Sequence, residues 1–178
     1  MPWPLRYCPS CGAPLEPTSL SRQQCCACGD VHYRNAKPCA GALITRGDGS
    51  LLLARRAVEP HRGAWDVVGG FVHPDEVPAA AAAREVLEET GLAVRIGEMV
   101  GVFVDQYGET AGADYTLNVY YLAEVDDSVE PVPTSDVSEL RWFAPGELPT
   151  EMAFPHERQV LDAWLEVTTI RRDRSSRA

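Results

Sequence analysis

Residues 70–92 read GFVHPDEVPAAAAAREVLEETGL, and this stretch decides both the fold and the chemistry of the chain. Strong helix formers fill it from Pro78 to Thr90, with proline tolerated in a first turn and Gly91 suited to a helix end. The sequence therefore predicts a helix that carries Glu85, Glu88 and Glu89. Residues three and four apart share a helix face, where like charges repel by roughly a few tenths of a kcal/mol per pair. A bound cation would offset that repulsion.

The glutamates are suited to a hard divalent cation. Mg²⁺ binds carboxylate, carbonyl and water oxygens, and it usually contacts substrate phosphates as well. Arg84 lies four residues before Glu88 and can pair with it, while the pair Gly69-Gly70 lets the backbone approach a metal or a phosphate closely. The loop before the helix adds Glu76. A solvated acidic helix is the plainer alternative, but it explains neither Gly70 nor Glu76.

The segment resembles the Nudix box, G-x5-E-x7-R-E-U-x-E-E-x-G-U, in which U is aliphatic. All nine constrained positions match: Gly70, Glu76, Arg84, Glu85, Val86, Glu88, Glu89, Gly91 and Leu92. The resemblance implies an α/β fold, an α/β/α sandwich with a mixed sheet. It also implies hydrolysis of a nucleoside diphosphate linked to another moiety, by attack of water on one phosphorus, with Mg²⁺ or Mn²⁺ as cofactor.

The resemblance further implies roles for single residues. The expected metal ligands are Glu85, Glu89, Glu88 and the carbonyl of Gly70. The expected catalytic residues are Glu85, Glu88 and Arg84, with Glu76 in support. Members of the family differ in whether the general base comes from this helix or from a later loop. Glu139, just before the apolar run 140–143, is the candidate for a later contributor.

A second motif lies near the N-terminus. Two C-x2-C pairs, each followed by glycine, are formed by Cys8, Cys11, Cys25 and Cys28. This spacing predicts a zinc ribbon in which four sulfurs hold a structural Zn²⁺. Disulfides in a secreted protein are a weaker alternative, because no signal peptide precedes Cys8 and a disulfide framework does not explain the repeated pattern. Cys26 could replace Cys25, and His32 is a remote substitute, but only Cys25 keeps the two-residue spacing.

These motifs predict three segments: a zinc ribbon over 1–36, a Nudix hydrolase domain over 37–170 and a disordered basic tail over 171–178. About 35 residues cannot build a sizeable core, so the ribbon must gain its folding energy from metal, of order 10 kcal/mol. Apolar runs predict strands at 38–46, 51–56, 65–68, 93–105, 115–125 and 140–143. The first two are expected to form a hairpin, and a second helix is expected at 155–167.

Composition narrows the partners. Of 178 residues 45% are hydrophobic and 24% charged, which is typical of a soluble globular protein. The net charge of −10 argues against a nucleic-acid partner, and no apolar run approaches the roughly 20 residues of a membrane helix. The chain is predicted to be cytoplasmic and to bind a nucleotide-derived small molecule. A homodimer is left open, since no residue pattern decides the oligomeric state.

A ribbon followed by a Nudix domain is similar to the NADH pyrophosphatase group. That group carries, after the box, a motif beginning Ser-Gln-Pro-Trp, whereas residues 101–108 here read GVFVDQYG. ADP-ribose or a broader set of such diphosphates, FAD and NADH included, is therefore the first expectation. The alternatives are a nucleoside triphosphate pyrophosphohydrolase and a non-catalytic module that senses a nucleotide. Substrate-binding residues stay unassigned among the aromatic candidates Trp65, Phe71, Phe103, Tyr107 and Tyr115 and the cationic candidates Arg55, Arg56 and Arg62.

Overall fold

The computed structural model describes residues 4–16, 21–108, 114–134 and 136–175. Its N-terminal part holds a two-stranded antiparallel sheet made of β1 (Arg22–Gln24) and β2 (Val31–Tyr33). The remaining strands form one mixed sheet: β3 (Lys37–Thr45), β4 (Leu51–Arg56), β5 (Trp65–Asp66), β6 (Gly69–Phe71), β7 (Val94–Tyr107), β8 (Asp114–Val125) and β9 (Val137–Phe143). Two helices complete the fold, α1 (Pro78–Thr90) and α2 (Pro155–Ser175).

The large sheet has the order β5-β4-β3-β8-β7, with β6 paired to β3 and β9 paired to β4. Strands β3 and β8 run parallel, in register from Lys37↔Thr116 to Thr45↔Glu124. The other strand pairs of this sheet are antiparallel. The expected mixed sheet is thus confirmed.

The expected hairpin between β3 and β4 opens after a single pair, Thr45↔Leu51. The segment from Trp65 to Phe71 fills the gap, because β5 pairs with β4 and β6 pairs with β3. It was expected as one strand over 65–68, but it divides into two short strands that serve different neighbours. This arrangement carries the pair Gly69-Gly70 from the sheet to the side of α1.

Helices cover both faces of the sheet, as the α/β/α prediction requires. Side chains alternate along each strand, so Ala42 and Ile44 join the core beneath α1 while Leu43 joins the core beneath α2. The buried apolar residues in the described part of the helices are Ala81, Ala82 and Val86 on α1 and Val160, Leu161 and Trp164 on α2. Truncating a fully buried aromatic such as Trp164 to alanine costs about 3–5 kcal/mol in typical cores.

The helix ends follow local chemistry. Pro78 begins α1 without a side-chain cap, and Gly91 ends it in the left-handed region at φ 71°, where its N–H donates to the carbonyl of Leu87 at 3.0 Å. Helix α2 continues to Ser175, five residues into the segment predicted to be a disordered tail. That segment has neither proline nor glycine to end a helix. Among the described residues, no helix is both long and apolar enough to cross a membrane.

Candidate active site

A cavity of about 400 Å³ lies between α1 and the first residues of α2. Its near wall consists of the glycine pair and the acidic face of α1, with Arg84, Glu85, Glu88 and Glu89. The rest of the lining, referred to as the far wall, includes residues from β4, β5, the loop before β9 and the start of α2. The size lies within the range of ligand pockets.

The structure brings the glutamates of α1 together at the glycine pair. Arg84 Nη1 donates to Glu85 at 2.8 Å and to Glu88 at 3.0 Å. The N–H of Gly69 donates to the Glu89 carboxylate at 3.3 Å. A Cβ added at Gly70 would lie 2.5 Å from the Glu85 carboxyl. A side chain at this position would displace the Glu85 carboxylate, which now lies against the backbone.

Arg84 also connects the loop to the helix. Its Nε and Nη2 donate to the two carboxylate oxygens of Glu76 at 3.0 and 2.9 Å, and Nη2 donates to the carbonyl of Phe71 at 3.1 Å. The hydrogen bonds from Arg84 lower the pKa of Glu76. This bidentate contact is the strong form of an arginine–carboxylate pair, and it fixes the loop that precedes α1.

Glu89 is the most buried of the three helix glutamates. Burial raises the pKa of Glu89 to about 8, and the nearby charges of Asp66 and Glu85 add to the effect. A carboxylate that is costly to ionise alone is one that a cation stabilises. The donor set at this point consists of carboxylate and carbonyl oxygens, which fits Mg²⁺ or Mn²⁺.

Behind the far wall lies an acidic pair that the sequence did not reveal: Asp66, which lines the cavity, and Glu157, which is buried beneath it. Arg56 Nη1 donates to Asp66 at 2.5 Å. The carboxyl of Glu157, fully buried, accepts hydrogen bonds from the N–H groups of Val67 at 2.7 Å and Phe154 at 3.0 Å. Burial, with the Asp66 charge next to it, raises the pKa of Glu157 well above its ordinary value. Glu157 thereby joins the start of α2 to the segment that carries the glycine pair.

A hydrogen-bonded chain of Asp105, His156 and Tyr120 lies beside this pair. His156 Nδ1 and its backbone N–H contact Asp105 Oδ2 at 2.9 and 3.0 Å, and the Tyr120 hydroxyl contacts His156 Nε2 at 2.9 Å. His156 and Tyr120 line the cavity. Sequence reasoning missed them because their partners are 51 and 36 residues away, with no local motif to link them.

The acidic residue that lines the cavity near β9 is Asp136, not Glu139. Glu139 lies opposite Arg55 on the neighbouring strand, and its carboxylate is 3.3 Å from Arg55 Nη1. The proposal of Glu139 as a later contributor remains a prediction. Asp136 lies in the loop three residues earlier, immediately before β9 begins at Val137.

Two of the five aromatic candidates line the cavity, Phe71 and Tyr107. Their ring centroids are 5.4 Å apart, and Tyr107 stacks on Phe154 at 5.7 Å, so the three rings form a continuous apolar surface. The other candidates do not line it: Trp65 packs on Phe143, Phe103 packs on Tyr120, and Tyr115 lies beneath Arg34. Of the arginine candidates, Arg56 lines the cavity, whereas Arg55 and Arg62 do not.

The N-terminal cysteines form a separate cluster. The sulfurs of Cys8, Cys11, Cys25 and Cys28 all lie within 4.8 Å of one another, with Cys8–Cys28 at 3.7 Å and Cys11–Cys25 at 3.6 Å. A tetrahedral site with Zn–S bonds of about 2.3 Å places its sulfurs about 3.8 Å apart. A disulfide would need about 2.05 Å, and the cysteines are free. The cluster fits Zn²⁺.

The two cysteine pairs have the same backbone geometry. Gly12 donates to the carbonyl of Cys8 and Gly29 to that of Cys25, both at 2.8 Å, and both glycines have positive φ. Cys26 is exposed and outside the cluster. His32 Nε2 lies 3.3 Å from Cys8 Sγ, close enough to contact that sulfur.

The NUDIX domain family matches residues 36–164. The chain is 31% identical over 171 residues to the NAD-capped RNA hydrolase NudC of Stutzerimonas stutzeri, covering 94% of this chain and 57% of that protein. It is 33% identical over 121 residues to a MutT-like protein of Streptomyces ambofaciens, covering 68% and 72% respectively. The chain thus spans little more than half the length of that NudC relative.

Among solved structures, a NUDIX hydrolase from Nitrosomonas europaea is similar over 85% of each chain, with 28% sequence identity and a TM-score of 0.68. The family match covers most of this chain, and it includes the segment in which Glu85, Glu88 and Glu89 meet the glycine pair. The chain belongs to the Nudix hydrolase family.

Proposed function

We propose that the chain hydrolyses the diphosphate bond of a nucleoside diphosphate linked to another moiety, in a reaction that requires Mg²⁺ or Mn²⁺. One observation carries the proposal: the Glu85 carboxylate lies against Gly70, with Glu88 and Glu89 on the same helix face beside a cavity of about 400 Å³. Arg84 offsets part of the repulsion between Glu85 and Glu88, and a bound metal would offset the charge that remains on this face. Binding alone would not need the complete set.

Each polar group of the near wall has a part in the proposed reaction. Glu85, Glu88, Glu89 and the Gly70 carbonyl would hold the metal, which polarises phosphoryl oxygens and lowers the pKa of water when bound. Arg84 orients Glu85 and Glu88 through its two hydrogen bonds. It is a positioning residue in this arrangement, since its guanidinium is already engaged by carboxylates.

The proton balance requires a base. Water adds its oxygen to one phosphorus, the bond from that phosphorus to the bridging oxygen breaks, and the water proton must leave. A carboxylate within reach takes this proton, and the leaving phosphate receives one in turn. Among the residues that the structure describes, five carboxylates line the cavity, of which Asp66 is paired with Arg56 and Glu89 is a proposed metal ligand. The candidates for the base are therefore Glu85, Glu88 and Asp136. We favour Asp136 because it is free of the Arg84 contacts.

The substrate set follows from the relatives and the cavity. ADP-ribose, FAD and NADH remain candidates, and relatives described as NAD-capped RNA hydrolases add an NAD-linked RNA end to them. The prediction that the chain has no nucleic-acid partner therefore has to be tested by experiment. The surface made by Phe71, Tyr107 and Phe154 supports a planar base near the diphosphate.

Incubation with Mg²⁺ and ADP-ribose, NADH, FAD, an NAD-capped oligonucleotide or a nucleoside triphosphate tests the proposal. Release of AMP from the first three, with loss of signal after chelation, is the expected result. Pyrophosphate release from the triphosphate alone would establish the triphosphate alternative. No turnover of any compound would favour the nucleotide-sensing alternative. The Glu89→Gln protein serves as the background control.

We also propose that Cys8, Cys11, Cys25 and Cys28 hold a structural Zn²⁺. Sulfur separations of 3.6 and 3.7 Å support this. All four positions of a tetrahedral ion would be taken by protein, which leaves no site for a substrate. The ribbon over 1–36 and the Nudix domain over 37–170 would then have separate metals with separate duties.

A further inference from the structure

Strand β8 lines part of the cavity with polar side chains, although the side chains of a buried strand are ordinarily apolar. Thr116, Asn118 and Tyr120 alternate along β8, are at most 6% exposed, and line the cavity together with His156. We refer to these four residues as the β8 wall. Buried polar groups are costly unless they are hydrogen-bonded, so the protons of the β8 wall can be traced through their partners.

Asp105 sets the donor and acceptor roles in the hydrogen-bonded chain that it forms with His156 and Tyr120. Although burial opposes ionisation, hydrogen bonds from His156 lower the pKa of Asp105, so its carboxylate can only accept. His156 Nδ1–H therefore donates to Asp105, and in the neutral imidazole Nε2 is left as an acceptor. With His156 in this neutral form, the Tyr120 hydroxyl donates to Nε2. Its oxygen offers the cavity lone pairs and no proton.

The rest of the wall behaves alike. The Asn118 amide nitrogen donates to the carbonyl of Phe103 at 3.4 Å and to Thr116 Oγ1 at 3.0 Å, which uses both of its hydrogens. Thr116 Oγ1 donates to the carbonyl of Asp105 at 3.4 Å. The polar side chains of β8 that line the cavity thus have their protons committed to the protein, and they retain acceptor oxygens.

The arginines that line the cavity do not replace the hydrogen-bond donors that the β8 wall lacks. Both arginines that line the cavity in the described part of the chain are ion-paired, Arg56 with Asp66 and Arg84 with three glutamates. Arg56 is further bound through Nε to the carbonyl of Pro60 at 2.7 Å. An additional anionic group on the substrate would meet acceptor oxygens and carboxylates.

We propose that the β8 wall is a specificity-determining surface: it selects a substrate whose non-phosphate end carries hydrogen-bond donors, such as an amino or carboxamide group, and rejects an end that is anionic. This inference rests on the proposed function and narrows its substrate class. A site whose buried groups require a partner discriminates strongly against an analogue that lacks it.

Two substrate series test the inference on the unmodified protein. The first replaces the carboxamide of NAD⁺ by an acetyl group, which removes the donor without adding charge, and then by a carboxylate. The second replaces adenine by unsubstituted purine in NAD⁺, which removes the donor amine without adding another donor or a charge. The expected result is a fall of about tenfold in kcat/KM for loss of the donor at the end that meets the wall. A larger fall is expected for the carboxylate.

A matched pair of variants locates the effect. Tyr120→Phe removes one acceptor from the wall and should reduce the difference in kcat/KM between substrates with and without the donor. Tyr121→Phe is the control, because it makes the same change one residue later, outside the cavity lining. The ratio between the amide and acetyl compounds, or between the two bases, is the readout, because a general loss of stability would not alter it.

The outcomes separate the two proposals. Hydrolysis with equal kcat/KM across both series would overturn the inference and leave the proposed function standing. If no diphosphate is hydrolysed, the proposed function fails, and calorimetric binding of the same two series decides the inference: weaker binding of the donor-free compounds supports it, and equal binding overturns it.

Discussion

The ribbon and the acidic face of α1 are two proposed ion-binding sites that are built in opposite ways. In the ribbon, four sulfurs from two separate loops converge on one point. On α1, the oxygens come from a single helix and the adjacent glycine pair, and one side opens on a cavity. The first arrangement surrounds an ion completely, and the second leaves room for water and phosphate.

Core size explains the difference. The apolar core of the ribbon consists of Cys8, Leu15 and Cys25 with Leu5 and Ala13 packed against them, so two of its buried residues are the proposed ligands themselves. The domain around α1 has two large clusters, one on each face of the sheet. Where apolar burial already stabilises the fold, a metal is not needed for structure. It is then available for chemistry.

Zinc removal should produce the largest effect, and only in the ribbon. A chelator is expected to abolish amide protection in β1 and β2, because metal binding there supplies folding energy of order 10 kcal/mol. Amides of β3 and β8 should stay protected. Hydrogen exchange with a zinc assay measures both, and Cys25→Ser should lose the metal while Cys26→Ser keeps it. Protection of the ribbon in a zinc-free protein would contradict the comparison.

Removing one helix carboxylate should affect catalysis and spare the fold. Glu89→Gln is expected to lower kcat about a thousandfold, since transition-state stabilisation by a catalytic metal amounts to several kcal/mol. Far-UV circular dichroism should be unchanged. Steady-state rates compare it with Glu151→Gln, an exposed glutamate outside the cavity lining. Near-normal activity of Glu89→Gln would remove Glu89 from the proposed ligand set.

A smaller effect is expected on the far wall. Asp136→Asn should reduce kcat about a hundredfold if Asp136 takes the proton, since general bases contribute about 10²–10⁴-fold. Glu139→Gln should stay within about twofold, because Glu139 pairs with Arg55 and does not line the cavity. The kcat values of the two variants test this assignment. A larger loss in Glu139→Gln than in Asp136→Asn would support Glu139 as the later contributor.

The smallest effect concerns geometry alone. Gly70→Ala places a Cβ 2.5 Å from the Glu85 carboxyl, so that carboxylate must move. A misplacement of this kind should cost about tenfold in kcat, within the penalties known for misaligned groups. Gly146→Ala is the control, because a Cβ there meets nothing within 4 Å. Equal rates for both variants would show that close contact between Gly70 and Glu85 is not needed.

Local chemistry made α1 predictable to the residue. Its alanines, Pro78 at the start and the left-handed Gly91 at the end are all visible in the chain, and the observed helix covers 78–90 as predicted. The second helix was predicted over 155–167 but continues to Ser175, because no proline or glycine follows to end it. The longer strands β3, β4, β7, β8 and β9 were predicted within a few residues because their apolar runs are local, whereas the short strands β1 and β2 were not predicted.

The far wall could not be predicted, because it is made by contacts between distant segments. Glu157 contacts Val67 across 90 residues, and His156 contacts Asp105 across 51. No spacing rule links such pairs. The splayed hairpin was missed likewise, since the sequence of β3 and β4 does not show that residues 65–71 enter between them.

The attachment of α2 to the cavity has a consequence for biosynthesis. The glutamate-bearing helix is complete once Thr90 has been added, whereas Phe154 and His156 emerge from the ribosome about a third of the chain later. A nascent polypeptide would thus possess its acidic face well before the opposing side exists. Selectivity for a ligand would be acquired only after α2 has been synthesised and docks on the sheet.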